Sequence, residues 1–140
     1  MNNVELIREA FKAQTFSYSP YSNFQVGAAL LTADGKVYSG CNIESAAYTP
    51  TNCAERTAFF KAVSEGERNF SKIAVVGNLK SGRMPEDDYT APCGVCRQVM
   101  MEFCGQDFEI ILAKSETDYK VFTLPEILPL GFGPKDLKNG

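Results

Sequence analysis

Phe24-Gln25-Val26-Gly27-Ala28-Ala29-Leu30-Leu31, followed by Ala33-Asp34-Gly35 and then Lys36 to Ile43, is the stretch that decides the fold. The first run is apolar almost throughout and reads as a largely buried strand. Asp-Gly favours the turn that joins antiparallel strands, so Lys36 to Ile43 is the return strand of a hairpin. Upstream, Val4, Leu6, Ile7, Ala10 and Phe11 recur at helical spacing, with Glu5, Arg8, Glu9 and Lys12 opposite. That pattern predicts an amphipathic helix over about residues 3–14. A loop rich in Ser, Tyr and Pro (Ser17 to Asn23) joins helix and hairpin.

Downstream, Pro50 and Thr51 start a predicted second helix that runs to about Ser64 and is closed by Gly66. Ile73-Ala74-Val75-Val76-Gly77 is a short buried strand, and the polar stretch Leu79 to Ala91 a loop. A third helix opens at Pro92-Cys93-Gly94 and ends near Cys104-Gly105. Strands are expected at Phe108–Ala113 and Tyr119–Thr123, a helical turn from Leu124, and a Gly- and Pro-rich tail holding Phe132. A hairpin followed by alternating strands and helices predicts an α/β fold, three-layer α-β-α, with a mixed sheet of about five strands. Residues 1–140 read as a single domain.

The chain has 140 residues, 44% hydrophobic and 22% charged, as in ordinary globular proteins. Its formal charge is −3, and lysines and arginines are interleaved with acids. No clustered positive face is available for phosphates, which argues against a polynucleotide partner. No apolar run approaches the roughly 20 residues of a membrane helix, and the N-terminus carries no signal-peptide pattern. The expected compartment is the cytoplasm, where thiols stay reduced. An odd count of five cysteines then points to metal or catalytic use of some and burial of the rest, Cys41 and Cys104 among the buried.

There is no histidine, so any metal ligand is sulfur or oxygen. Cys93 and Cys96 share one face of a helical first turn, and Cys53 lies near the start of another helix. Helix starts carry unpaired N–H groups and the positive end of the dipole, which favour thiolate. Three sulfurs would leave the fourth position of a zinc ion open to water, as in catalytic sites. Glu55, two residues after Cys53, could exchange protons with that water. Arg56 could offset the net negative charge of three thiolates and one Zn²⁺. Read alone, Cys93-x-x-Cys96 fits structural zinc or buried thiols as readily as a catalytic site, with thioredoxin-type redox a further competitor, and Glu55 could be a solvated helix residue.

Thr51-Asn52-Cys53-Ala54-Glu55-Arg56-Thr57-Ala58 and Pro92-Cys93-Gly94-Val95-Cys96-Arg97-Gln98 resemble the two zinc motifs of the small homotetrameric cytidine deaminases. The resemblance extends over nearly the full chain, through Ser19 to Ala29, Gly40 to Tyr48 and Leu128 to Phe132. It implies hydrolytic, zinc-dependent deamination of cytidine and deoxycytidine in pyrimidine salvage. It implies one zinc per subunit on Cys53, Cys93 and Cys96, with Glu55 activating water and protonating N3 of cytosine. Phe24 matches an aromatic packed on the base, Ala54 a backbone contact to the base edge, and Asn42 and Glu44 the sugar-binding positions. Arg56 matches a residue that softens the thiolate charge. Tyr48 and Phe132 match residues that complete a neighbouring subunit's pocket in a homotetramer. Glu44 has the capacity to accept two hydroxyl hydrogen bonds, and Asn42 to donate and accept. The chain departs from the family pattern in a longer segment between the motifs, Arg83 to Tyr89.

Three rival functions are compatible with parts of this pattern. A deaminase of a cytosine-containing antibiotic such as blasticidin S would use the same scaffold; Asn42 and Glu44 favour a sugar instead. An editor of polynucleotides conflicts with the acidic charge. A closed structural zinc domain needs a fourth ligand, and Cys104 lies roughly 16 Å along its helix from Cys93.

Overall fold

The computed structural model describes residues 1–81 and 89–137, so most of the long segment between the cysteine motifs, residues 82–88, lies outside the described residues. Helix α1 spans Asn3–Gln14, with Asn2 and Glu5 forming a reciprocal capping box. Strands β1 (Phe24–Thr32) and β2 (Val37–Cys41) form the hairpin; α2 (Ala54–Ser64), β3 (Phe70–Leu79), α3 (Gly94–Phe103), β4 (Glu109–Ala113), β5 (Tyr119–Thr123) and the short α4 (Leu124–Ile127) follow. The sheet order is β2-β1-β3-β4-β5, parallel only between β3 and β4 and antiparallel elsewhere. The expected mixed five-stranded sheet is therefore present.

Both faces of the sheet are covered, which makes three layers. Along β1 the side chains alternate. Ala29 and Leu31 meet Leu6, Ile7 and Ala10 of α1, while Ala28 and Leu30 meet Ala54, Ala58, Phe59 and Ala62 of α2. Phe59 anchors the second layer, its ring within 5.2 Å of Phe70, 6.1 Å of Phe108 and 6.4 Å of Phe103. Truncating so buried a ring typically costs about 3–5 kcal/mol. Helix α2 rests directly on β2. A Cβ at Gly40 would lie 2.6 Å from both the Ala54 carbonyl oxygen and the Ala58 amide nitrogen.

Two boundaries differ from expectation. Helix α2 starts at Ala54, not at Pro50 or Thr51, because Asn52 is drawn into an extended bridge with Ile43 (N–H to O distances 3.0 and 2.9 Å). Strand β3 begins at Phe70, three residues before its apolar run, because β1 and β4 offer pairing partners there. Cys41 and Cys104 are half-buried, less enclosed than expected.

Strand direction places the site. β2 and β3 both run antiparallel to β1, so they run the same way as each other. The start of β1, the end of β2 and the end of β3 share one edge, where Phe24 opposes Leu79 and Gly27 opposes both Cys41 and Val76. The chain leaves β2 and β3 at this edge and re-enters as the starts of α2 and α3. Two helix N-termini are thereby delivered to one place, outside the carboxyl ends of strands, where open α/β sheets bind ligands.

Candidate active site

Cys53 and Cys93 are the N-cap residues of α2 and α3, both with extended backbone. Their sulfurs are 3.7 Å apart, and Cys93 Sγ is 3.4 Å from Cys96 Sγ. All three sulfurs lie within 4.8 Å of one another. Tetrahedral zinc with Zn–S near 2.3 Å needs sulfurs about 3.8 Å apart, so the cluster fits the ion. A disulfide would need about 2.05 Å, and all five cysteines are free. The Cys96 N–H points to Cys93 Sγ at 3.5 Å, and Cys96 is buried while Cys93 is exposed, so the cluster opens outward on one side.

The sulfurs are chemically unequal. A hydrogen bond from Cys96 holds the Cys53 thiol down to about 5 against the opposing effect of burial, with Arg56 and Cys93 adding to the stabilisation of the thiolate. Cys96, as the donor to Cys53 and buried, is pushed up. Arg56 Nη2 sits 3.3 Å from Cys53 Sγ, and its charge is reinforced by that contact. Its Nε is buried without a hydrogen-bond partner among the described residues. The guanidinium is thus committed to the sulfur cluster.

Glu55 is not the solvated helix residue it could have been. It sits in the first turn of α2 at 3% exposure. Burial pushes its carboxyl up to about 7, the negative Cys53 adds to the rise, and its own backbone N–H and Arg56 oppose it. A carboxyl that titrates near neutrality can both accept and return a proton. Ala54, fully buried between Cys53 and Glu55, places a helix-start N–H beside the cluster.

Asn42 and Glu44 flank Ile43, whose bridge to Asn52 ties them to the residue before Cys53. Asn42 Oδ1 accepts from Ser17 Oγ and from the Val26 N–H at 2.9 Å, and its Nδ2 donates to the Phe24 carbonyl at 2.8 Å. Among the described residues this leaves one amide hydrogen. Glu44 Oε1 accepts from the N–H groups of Tyr21 (3.0 Å) and Ser22 (3.1 Å), and Oε2 accepts from Ser22 Oγ. Among the described residues one lone pair of Oε2 is left, so the capacity for two hydroxyls read from the sequence falls to one. Beside Glu44 opens a cavity of about 390 Å³ lined by Tyr21, Ser22, Glu44, Ser45, Tyr48 and Thr51.

Phe24 is half-buried, its ring edge lying over Gly77 next to Thr90. Tyr48 is exposed, in a left-handed conformation (φ 63°), and lines its own chain's cavity. Phe132 is 57% exposed, and its carbonyl is held at 2.7 Å by Gln98 of α3. Cys53, Glu55, Arg56, Cys93 and Cys96 therefore form one cluster, Phe24, Asn42 and Glu44 a hydrogen-bonded group tied to it, and Phe132 stands on the surface. Sequence reading missed Ser17 and Ser22, whose bonds to Asn42 and Glu44 leave no spacing signature. It also missed the role of Gly40, although a glycine inside a strand signals close backbone approach.

Residues 1–112 match the family described as the cytidine and deoxycytidylate deaminase zinc-binding region. The chain belongs to this family. A cytidine deaminase of Sporosarcina psychrophila is 47% identical over 137 residues, covering 98% of this chain and 96% of its own. The crystal structure of cytidine deaminase from Burkholderia pseudomallei superposes with a TM-score of 0.85 at 46% identity, over 94% of this chain and all of that one. A blasticidin-S deaminase of Bacillus cereus is 30% identical over 133 residues, 93% of this chain and 91% of its own. The three-sulfur cluster and the family's zinc-binding region agree on one zinc per chain. No helix among the described residues is long and apolar enough to cross a membrane.

Proposed function

We propose that this chain is a zinc-dependent cytidine deaminase that converts cytidine and deoxycytidine to uridine and deoxyuridine, serving pyrimidine salvage. The observation that carries the reading is a buried Glu55 beside three converging cysteine sulfurs. Water is consumed and ammonia released: a C4–O bond forms and the C4–N bond breaks. Cys53, Cys93 and Cys96 hold the zinc, which when bound supplies Lewis-acid activation of water near neutral pH. Glu55 takes a proton from the attacking water, passes it to N3 of the ring, and later delivers a proton to the departing amine. Arg56 offsets the charge of the thiolates, and the Ala54 backbone meets the base edge.

Phe24 packs on the base. The Nδ2 hydrogen of Asn42 and the Oε2 lone pair of Glu44 left over among the described residues make one donor and one acceptor, the complement of a single sugar hydroxyl. A pocket that reads one hydroxyl supports turnover of both the ribo- and the deoxyribonucleoside. Residues 1–140 act as one catalytic domain. Four copies form a homotetramer, in which Tyr48 and Phe132 complete neighbouring pockets; the exposure of both rings supports this. The reduced cytoplasm suits three free thiols.

A second reading, deamination of blasticidin S, is supported by the Bacillus cereus relative. Loss of ultraviolet absorbance on mixing the protein with cytidine, deoxycytidine or blasticidin S separates the two. Turnover of the nucleosides supports the first reading; turnover of blasticidin S alone replaces it.

A further inference from the structure

The geometry points to Ser22 as a positioning residue that registers the sugar acceptor against the base wall. The inference rests on the nucleoside reading above. Ser22 Oγ has two partners among the described residues: it donates to Glu44 Oε2 and accepts from the Phe24 N–H at 3.0 Å. One hydroxyl therefore links the side chain that faces the sugar to the backbone of the residue that faces the base. The Ser22 N–H adds a bond to Glu44 Oε1 at 3.1 Å, so both carboxylate oxygens are fixed from one residue.

The loop holding Ser22 is itself pinned. Asn23 adopts a left-handed conformation (φ 58°), its N–H donates to the Ser19 carbonyl at 3.0 Å, and its carbonyl accepts from the Lys80 N–H at 2.8 Å. A non-glycine residue in that region is held there by its surroundings. The hydroxyl is thus delivered by a fixed turn. With Ser22 Oγ in place, Glu44 presents one lone pair to the cavity in one orientation. Without it, Oε2 is free to turn, and the distance between sugar acceptor and base wall is no longer set.

The test is the kinetics of the purified full chain. Zinc content and thermal unfolding are measured alongside. Ser22→Ala should raise KM for cytidine about tenfold, the worth of one aligned hydrogen bond to a charged group, and leave kcat within about twofold. Ser22→Thr, which keeps the hydroxyl, should match wild type. In a Glu44→Ala background, adding Ser22→Ala should change kcat/KM by less than about twofold, because the partner is already gone. If Ser22→Ala fails to fold, Ser22→Val against Ser22→Thr gives the same comparison at constant shape. An unchanged KM in Ser22→Ala overturns the assignment. So does an equal loss with and without Glu44, which would make Ser22 a loop-folding residue only. Wild-type turnover of cytidine is measured first, so failure of the proposed function is seen separately from failure of this inference.

Discussion

Replacing Gly40 with alanine would insert a methyl group between β2 and the first turns of α2. The new Cβ would lie 2.6 Å from the Ala54 carbonyl oxygen, 2.6 Å from the Ala58 nitrogen and 2.9 Å from Thr57 Cβ, where ordinary contact begins at 3.4 Å. Two of the three obstacles are backbone, so no side-chain rotation relieves them. The start of α2 must therefore retreat by about 0.8 Å. That turn carries Cys53, Glu55 and Arg56. Overpacking of this kind costs about 1–3 kcal/mol of stability. A misplacement near 1 Å at reacting groups costs about a hundredfold in rate. The assay is deamination of cytidine followed by absorbance, with zinc per chain and melting temperature on the same sample. The expected Gly40→Ala protein melts roughly 2–12 °C lower and has kcat reduced about a hundredfold. A variant with wild-type turnover and stability would refute the claim that direct contact between α2 and β2 sets the site's geometry.

Glu55→Gln should keep its zinc and lose about 10²–10⁴ in turnover, since the fold retains its sulfurs but not its proton carrier; metal analysis and kcat on one sample check this, and undiminished turnover removes Glu55 from the mechanism. The same substitution has a pH signature in zinc-free protein. Glu55 is raised from 4.5 to about 7, so between those values the native state holds a proton that the unfolded chain has released. That contribution is complete below pH 4.5 and is lost as pH rises through 7. Wild type should lose about 3 kcal/mol relative to Glu55→Gln over the window, measured by urea unfolding; parallel pH profiles of the two proteins would contradict the burial argument. Cys96→Ala should lose zinc and melt lower, because metal binding couples to folding; a variant that still carries one zinc per chain counts against Cys96 as a ligand.

The order and kind of the elements were legible from periodicity, because each strand and helix buries a distinct face and the apolar pattern records it. The cysteine motifs were legible because metal ligands must converge, and short spacing at a helix start makes two of them converge locally. The start of α2 escapes the local pattern because Ile43 and Asn52 pair although nine residues apart. The role of Glu55 was legible from its place between Cys53 and Arg56, but its burial was not, because that depends on how α2 is seated against the sheet. The commitments of Asn42 and Glu44 were invisible for a related reason: their partners are mostly backbone N–H and carbonyl groups, which every residue has.

Zinc-edge X-ray absorption of the purified, zinc-loaded protein tests the central claim most directly. Three sulfur neighbours at about 2.3 Å and one lighter oxygen neighbour at about 2.0–2.2 Å are expected. Four sulfur neighbours, or three sulfurs and a protein carboxylate that disappears in Glu55→Gln, would mean a closed centre and would contradict it.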